Sequence, residues 1–489
     1  MTLPGEVVTQ RDSAPPRTQP TSTGTWFITG LAEKGPTTPT KIRSLREFEQ
    51  TFGGRVAYST IYDCVDQYFR RGGQTLWFVR LLGPSPVKAS LALQDGSSGT
   101  VVTLTAKHYG DAYNGASGGL SAAVNASGGN FTVTIYWNSV AVETSPTLAD
   151  KAALLAWLAD SDYVDYTSGA SSTDPVTVAE TDFASGADDR ASITDTHRIA
   201  ALDTIPKDKG PGSCSIPGAT TTDAWIGILK HGRANDRRAI LDWADGASAS
   251  TIATNAATVR ALGADADGPA VSRYGAPFGP WANVPGTAAG TTRAVPYSAI
   301  QAALEARRDA ATGNPNIPAA GKEWGNPGAD ITARQTFTTT ELETLNDAGV
   351  NVAREIDGEV LTYGYRTLAD KDVHPLHWQY GNVRVDMAIA AKAAVIGRAT
   401  TFGQIDGRGV KIAQYGSDIA SMLLTDFYSV DALYGATPDD AFRVDVGSAV
   451  NTVESIAEGR IRAVISAKRA PMAERAEIEV VLTAITQEV

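Results

Sequence analysis

The alternation of apolar and polar positions predicts two strands and two helices near the start of the chain. Residues 23–36 are predicted to form a strand running into a turn. The nearly continuous apolar run at 75–82 is typical of a strand in a sheet covered on both faces. Between them, 44–54 opens with a Ser–x–x–Glu capping box, and 57–73 carries one apolar helical face. This β–α–α–β order indicates an α/β fold.

Residues 88–189 have a different pattern. Short alternating strands are separated by turns rich in Gly, Ser and Asn, and one predicted helix, 147–160, interrupts them. The pattern indicates a β-rich domain inserted into the α/β chain, whose character returns afterwards. A later helix at 338–350 is predicted with Thr340 and Glu343 as its capping box.

The last part of the chain combines a hairpin, helices and strands. Residues 351–368 are predicted to form a hairpin turning at an Asp-Gly pair, and 416–435 has the apolar periodicity of an amphipathic helix. Strands are predicted at 459–471 and, with strict alternation, at 476–489. The final strand raises the question of which sheet it joins, since its backbone groups need partners.

Together these patterns predict a multidomain α/β protein with α+β elements, an inserted β-rich domain and extended terminal arms. A chain of 489 residues exceeds a single compact core, so several units are expected. The predicted segments are an extended N-terminal arm (1–23), the first part of the α/β core (24–87), the insertion (88–189), a middle α/β domain (190–370), a C-terminal α/β domain (371–475) and a terminal strand arm (476–489).

The net charge of −12 is unevenly distributed. Residues 91–200 hold 13 acidic and four basic residues, and the chain lacks the basic footprint of a nucleic-acid-binding protein. The two cysteines, Cys64 and Cys214, are too few for a disulfide framework. Because the sequence shows neither a signal-peptide pattern nor an apolar run of membrane-spanning length, we expect a soluble protein made in the cytoplasm.

Four short segments match known catalytic, phosphate-binding or metal-binding motifs only in part. Ser117 stands in a G-x-S-x-G match, but that motif needs a preceding strand and a following helix, and here it falls in a loop between strands. Glu323 follows Gly-Lys where a phosphate-binding loop needs Ser or Thr. At 374–377 Pro375 is expected to disrupt a helix and the two histidines lack a third ligand, and 265–268 has too few carboxylates for a calcium loop. We therefore predict no catalytic, cofactor or metal site.

Eight segments are informative through their order and spacing, although none is specific alone. They are LPGEVV, GTWFITGLAEKGP, SLREFEQTFGG, FRRGGQTLWFVRLL, NPNIPAAGKEWG, LNDAGVNVAREIDGEVLTYGYRTL, ALYGATPDDAFRVDV and AEGRIRAVISAKRAPMAERAEIEVVLT. In this order they resemble the contractile tail sheath proteins of bacteriophages and related contractile injection systems. The resemblance covers 1–85 and 310–489 well and 197–310 poorly, and it departs from the family pattern at 382–385 and 400–410.

The resemblance implies a structural subunit and not an enzyme. Sheath proteins polymerise helically, in hexameric rings, around an inner tail tube and contract to drive the tube through the host envelope for genome ejection. The implied partners are further copies of the chain, the tube protein, and baseplate and tail terminator proteins, with no direct contact to nucleic acid or membrane. The implied location is the virion tail, assembled in the host cytoplasm. The middle domain would resemble a subtilisin-like fold without its catalytic triad.

In sheath proteins both terminal arms leave their own subunit and add strands to a sheet in neighbouring subunits, which is β-augmentation. The residues alone favour another pairing, a simple hairpin between 476–489 and 459–468, since consecutive strands often pair. Carried over to this chain, the resemblance assigns the strand positions of the arms to Val7, Val8, Ile478, Val480, Leu482 and Ala484.

Tube contact is assigned to a basic cluster in this acidic protein, with a solvated or core-pairing role as the alternative. The acidic insertion is expected on the outer surface. Two other functions stay open: an α/β hydrolase-like enzyme, and a carbohydrate-binding or adhesin module on the insertion. The basic cluster is Lys392, Arg398, Arg408 and Lys411, and the aromatic platform of the adhesin hypothesis is Tyr109, Tyr113, Tyr136 and Trp137.

Overall fold

A computed structural model describes residues 22–288 and 290–474 of the chain. Almost all of the predicted N-terminal arm and the whole of 476–489 lie outside these residues. Among the described residues, no helix is long and apolar enough to cross a membrane. The strand positions predicted for the two arms also lie outside the described residues: Val7, Val8, Ile478, Val480, Leu482 and Ala484.

The segment before the insertion forms the β–α–α–β order that its apolar pattern predicts. The Ser44 hydroxyl accepts a hydrogen bond from the Glu47 backbone N–H (3.1 Å), and Gly53, with φ of 87°, ends the first helix. The elements are strands β1 (Thr25–Gly30), β2 (Thr40–Ile42) and β3 (Thr75–Arg80), and helices α1 (Leu45–Phe52) and α2 (Ile61–Arg70).

The insertion folds as a β-rich unit with its own core. It contains strands β4 (Lys88–Gln94), β5 (Thr100–Tyr109), β6 (Leu120–Ser127), β7 (Asn130–Trp137), β8 (Val140–Thr144), β9 (Val164–Ser168) and β10 (Val178–Asp182), and helix α3 (Lys151–Leu158). They form two antiparallel sheets, β4-β5-β9 and β10-β6-β7-β8. The buried apolar residues of this unit all come from the insertion, and Val87 pairs with Ala187 where the chain enters and leaves it.

After the insertion the chain returns to α/β architecture. Its strands are β11 (Ser213–Ser215), β12 (Arg238–Leu241), β13 (Gly275–Gly279), β14 (Ala282–Pro285), β15 (Thr292–Val295), β16 (Thr332–Ala333), β17 (Asn351–Ile356) and β18 (Glu359–Thr362). Its helices are α4 (Asp195–Asp203), α5 (Thr222–Asn235), α6 (Ala249–Arg260), α7 (Tyr297–Thr312), α8 (Gly321–Trp324) and α9 (Thr339–Asp347). The predicted Asp-Gly turn joins β17 to β18, with φ of 55° at Asp357 and 81° at Gly358.

One eight-stranded sheet unites the segments on either side of the insertion, in the order β18-β17-β13-β12-β11-β1-β3-β2. The six inner strands are parallel, and β2 and β18 run antiparallel at the two edges. Strand β1 lies between β3 and β11, which come from opposite sides of the insertion. Residues 24–87 and 190–370 therefore contribute strands to the same sheet.

Helices cover both faces of this sheet and make a three-layer α/β/α sandwich. The side chains of Trp26 and Phe78 pack with α1, α2 and α7, whereas Phe27 and Leu241 pack on the opposite face with α4, α5 and α6. All four side chains are fully buried. Because both faces are covered, successive residues of a strand are apolar, as the sequence of β3 predicts.

The C-terminal unit combines helices with a two-stranded sheet. Its elements are helices α10 (Pro375–Trp378), α11 (Tyr380–Thr400), α12 (Val410–Leu423), α13 (Pro438–Ala441) and α14 (Val453–Ala457), and strands β19 (Phe442–Asp445) and β20 (Val464–Ala467). Helix α11 belongs to two cores, since Tyr380 packs in the main core and Ile389 in the apolar cluster of the C-terminal unit. A continuous helix therefore connects the two units.

A buried cluster of charges fixes α11 against the sandwich. Arg384 of α11 lies 2.5 Å from the Asp309 carboxylate and also contacts Glu305, both on α7. Glu305 accepts a hydrogen bond from the Ser213 hydroxyl of β11 (2.5 Å). Burial raises the pKa of Asp309, but the neighbouring guanidinium groups outweigh this effect and hold the pKa below its usual range. These charges are stable inside the protein only because each has a partner.

The capping box of α9 lies two residues earlier in the chain than predicted. Thr338 and Glu341 form it, in place of Thr340 and Glu343: the Thr338 N–H donates to the Glu341 carboxylate at 2.8 Å. Residues 338–340 are all threonine, so each one is a plausible cap by residue type. The packing of α9 on the sandwich, with Leu345 fully buried, selects the register.

Three C-terminal boundaries also differ from the predictions. Pro375 begins the one-turn helix α10 and does not disrupt it, because the first helical position needs no N–H donor. The helix predicted at 416–435 begins earlier, at Val410, and continues into a π-helical turn at Leu424–Tyr428. The strand predicted at 459–471 is shorter in the structure and comprises only β20.

We predict that Arg384→Leu lowers the free energy of unfolding by about 3–5 kcal/mol, because Glu305 would stay buried without an ion-pair partner and Asp309 would keep only Arg308. Thermal and chemical unfolding of the full chain would measure the loss. Arg398→Leu is the matched control, since Arg398 is exposed on the same helix and its loss should change stability by no more than about 0.5 kcal/mol. Equal unfolding of the two variants would contradict the prediction.

Candidate functional site

The sheet formed by β19 and β20 is separate from the other sheets. Its inner face packs on the C-terminal apolar cluster through residues such as Val444 and Ile465. Its outer face carries exposed residues, including Arg443 and Val464. Two strands are marginal by themselves in water, so this sheet depends on the helices beneath it and is suited to accept further strands.

The hydrogen-bond pattern shows which backbone groups of this sheet face outward. Ala441 lies opposite Lys468, whose N–H donates to the Ala441 carbonyl at 2.9 Å. Because hydrogen-bonded pairs alternate along an antiparallel ladder, Val444 and Ile465 direct their backbone groups away from it. No described strand pairs beyond either one. Within the described chain the sheet therefore has two open edges, each a template for an added strand.

The four basic residues predicted to contact the tube do not all lie together. Lys392 forms an ion pair with Asp426 at 2.7 Å on the flank of the C-terminal unit. Arg398 is on the last turn of α11, Arg408 is in the connection to α12, and Lys411 is on the first turn of α12. The structure therefore brings three of the four to one turn, which we call the α11–α12 tip (residues 398–411).

Phe402, the most exposed large apolar side chain of the α11–α12 tip, was not predicted as a contact residue. Its side chain is fully exposed, at 104%, and its φ of 63° lies in the left-handed region that bulky residues rarely adopt. Val410 in the same tip is 58% exposed. An aromatic residue within a Gly-rich connection was the available signal. Exposed apolar side chains beside basic ones are typical of a contact surface.

The motifs considered for catalysis and metal binding lack the required geometry. Ser117 is exposed in a 3₁₀ turn and not between a strand and a helix. His374 Nδ1 lies 2.9 Å from the Arg273 guanidinium, and Asp265 pairs with Arg233 at 2.7 Å. Among the described residues there is no group of three or more His, Cys, Asp or Glu side chains that could hold a metal ion.

A buried serine–carboxylate pair has a structural explanation. Asp242 accepts hydrogen bonds from the Ser298 N–H (2.9 Å) and hydroxyl (2.6 Å) at the first turn of α7, and from the Gly218 N–H (3.2 Å). Burial raises the pKa of Asp242 to about 6. The carboxyl group caps the helix, and none of these hydrogen-bond partners is a histidine that could activate Ser298.

The aromatic residues of the insertion do not form a continuous platform. Tyr113 is buried, packs edge-on against Trp137 at 5.5 Å, and accepts a hydrogen bond from the Gly35 N–H of the core at 2.9 Å. Tyr109 lies instead beside Lys88, with 5.5 Å between the ammonium nitrogen and the ring centroid. Tyr113 therefore helps to dock the insertion on the sandwich.

The complete fold is similar to solved sheath proteins. It matches the sheath of PVC, an extracellular contractile injection system, in its contracted state, with a TM-score of 0.55, 13% identity, and 100% of this chain and 99% of that chain covered. The sheath tail protein of Listeria innocua gives 0.58, 15% identity, and 93% and 96%. A chain of the contracted baseplate of the anti-feeding prophage gives 0.58, 16% identity, and 100% of both. No protein-family model and no curated protein matches the sequence.

These similarities confirm that the chain has the fold of contractile sheath proteins. The multidomain α/β class, expected from the sequence, is confirmed with it. The match extends across nearly the whole of both chains, so the insertion and the C-terminal unit are part of the similarity. At these identities the similarity defines the fold and leaves the function to be tested.

We predict that a peptide with the sequence of residues 476–489 binds the two-stranded sheet of a chain ending at Glu474. Val444→Pro and Ile465→Pro each remove one outward N–H, and the variant on the edge that accepts the peptide should bind it about tenfold more weakly or worse. Isothermal titration calorimetry would measure the affinities.

The control is Arg443→Pro, which removes an inward N–H and should destabilise the sheet itself. Circular dichroism would establish that the two outward variants stay folded. Unchanged affinity in both of them would exclude strand addition at this sheet.

Proposed function

We propose that this protein is a structural subunit of a contractile sheath, which polymerises helically around an inner tail tube and contracts to drive the tube through the host envelope. The observation that carries the proposal is the similarity of the whole chain to a contracted sheath and to a chain of a contracted baseplate. The open edges of β19 and β20 supply a means of polymerisation.

Strand exchange through the arms would connect the subunits. The sheet offers two open edges, and the chain has two terminal arms that the resemblance assigns to neighbouring subunits. One edge would take the N-terminal strand around Val7 and Val8, and the other the strand of Ile478, Val480 and Leu482 from a different subunit. Such head-to-tail contacts do not close on themselves, so they generate a helical assembly.

The subunit is built to move as one body during contraction. Helix α11 runs unbroken from the sandwich into the C-terminal unit, and the buried ion pairs of Arg384 hold it in place. The proposed change of state is therefore a rotation of whole subunits, while the arms keep them connected.

The partners of the proposed assembly are further copies of the chain in hexameric rings, an inner tube, and baseplate and tail terminator proteins. The tube-facing surface is assigned to the α11–α12 tip, which contains Arg398, Arg408 and Lys411 together with exposed Phe402. The assembled protein would belong to the virion tail after assembly in the host cytoplasm, without enzymatic activity of its own.

The insertion would form the outer surface of the sheath. It has its own apolar core and is connected to the sandwich by buried Arg80, which pairs with Asp188 at 2.8 Å. Its acidic residues would repel neighbouring particles. We keep the division into arm, core, insertion, middle, C-terminal and terminal strand segments as part of this proposal, with 24–87 and 190–370 sharing one sheet.

The full chain should form rods or hollow tubes that a chain ending at Glu474 does not form, because the second lacks the terminal strand. Negative-stain electron microscopy of both purified proteins, with and without tube protein, would show the difference. Tubes that survive truncation would place the terminal strand outside the subunit contacts. Single particles from both proteins under all conditions would contradict the sheath function.

Phe402→Ser should weaken binding of the subunit to the inner tube about tenfold or more, because it removes the large apolar side chain of the α11–α12 tip. Co-sedimentation with preformed tubes would measure the effect. Val140→Ser is the control, since Val140 is 64% exposed on the insertion and should not contact the tube. Equal binding by both variants would remove the tip from the tube interface.

A further inference from the structure

The described chain ends on the surface of the sandwich, where three contacts hold residues 470–474. The Asn316 side-chain amide donates to the Ala470 carbonyl at 2.7 Å. Met472 packs against the main core, and Glu474 pairs with Arg366 at 2.5 Å. The segment that follows Glu474 therefore starts from a fixed point on the α/β core.

A groove of about 420 Å³ opens at this point, and Met472, Ala473 and Glu474 form part of its wall. Helix α9, strand β17, the segment after β18 and residues 318–321 supply the rest of the lining. Apolar side chains predominate, which suits an extended segment with one apolar face. The large apolar residues of the lining are Leu342, Val350, Val352, Tyr363 and Met472.

One polar group on the groove wall lacks a hydrogen-bond partner among the described residues. The Arg354 Nε is buried and unpaired. Arg354 stacks over the Tyr363 ring at 4.4 Å and forms no ion pair within the described chain. Its guanidinium group favours an occupant with carboxylate or carbonyl oxygens.

The chain's own next residues have this chemistry. After Glu474 the sequence continues with alternating apolar residues, among them Ile478 and Val480, separated by Glu477 and Glu479. An extended strand would place the apolar side chains on one face and the carboxylates on the other. Glu477 is three residues beyond Glu474, and about 10 Å of extended chain is enough to enter the groove.

We propose that in the unassembled subunit this groove binds residues 475–482 of the same chain. The apolar face of the segment contacts the groove lining, and Glu477 or Glu479 pairs with Arg354. Held there, the terminal strand is not free to add to a neighbouring subunit, so assembly has to displace it. This latch role rests on the proposed sheath function, whereas the docking itself does not.

A disulfide trap in the full-length chain would test the docking. Glu343 is exposed on the groove wall, and the two native cysteines are buried and do not compete. With Glu343→Cys and Ile478→Cys, a disulfide should form within the monomer at low protein concentration. It should form at least tenfold faster than in the control pair Val140→Cys and Ile478→Cys. Mass spectrometry of the oxidised protein would identify the bond.

Arg354→Ala should slow formation of this disulfide several-fold. Arg43→Ala, at an exposed arginine of the same core, should leave the rate of disulfide formation unchanged. Equal rates in the groove pair and the control pair, or disulfides found only in dimers, would overturn the docking. Retention of the fast trap in Arg354→Ala would overturn the role given to Arg354.

Assembly kinetics separate this proposal from the sheath function. If the latch is correct, Arg354→Ala should polymerise with a shorter lag than the unchanged chain, by light scattering. Fast disulfide formation together with an unchanged lag of polymerisation would support the docking and reject the latch role. A positive trap in a protein that never polymerises, even with tube protein, would retain the docking and reject the sheath function.

Discussion

The buried guanidinium of Arg384 is the contact on which the arrangement of the main units depends. It lies on α11, but its partners are carboxylates of α7, and one of these is bound in turn by a serine of β11. Charges inside a protein core are stable only when paired in good geometry, so the C-terminal helix has one favourable position on the sandwich. Rotation of α11 by part of a turn would leave Glu305 buried without an ion-pair partner and Asp309 with Arg308 alone.

Unpaired backbone groups at the edges of the sheets determine where the molecule can accept an added strand. The eight-stranded sheet limits the number of these groups, because six of its eight strands have a partner strand on both sides. The small C-terminal sheet does not, and its outward N–H and C=O groups have no strand partner in the described chain. A short two-stranded sheet on a rigid helical base is stable enough to fold and still incomplete, which is what assembly by strand addition requires.

The insertion differs from the small C-terminal sheet. Its apolar residues form a separate core, and it connects to the sandwich where the chain enters and leaves it. Arg80 and Asp188 add a buried ion pair at this junction. Such a unit can be carried on a sheath subunit without changing the sheet from which it emerges, because its apolar core is its own.

Interactions between residues that are close in the sequence determined which structural features could be predicted. The capping box at Ser44, the Asp-Gly turn of the β17–β18 hairpin and the apolar run of β3 each act within a few residues, so their outcome was readable. The three consecutive threonines at 338–340 were not decisive, since packing of Leu345 chose among them. Only the tertiary structure put 24–87 and 190–370 into one sheet, gathered the carboxylates around Arg384, and exposed Phe402 and two sheet edges. These features depend on contacts between residues up to hundreds of positions apart, and no local pattern contains that information.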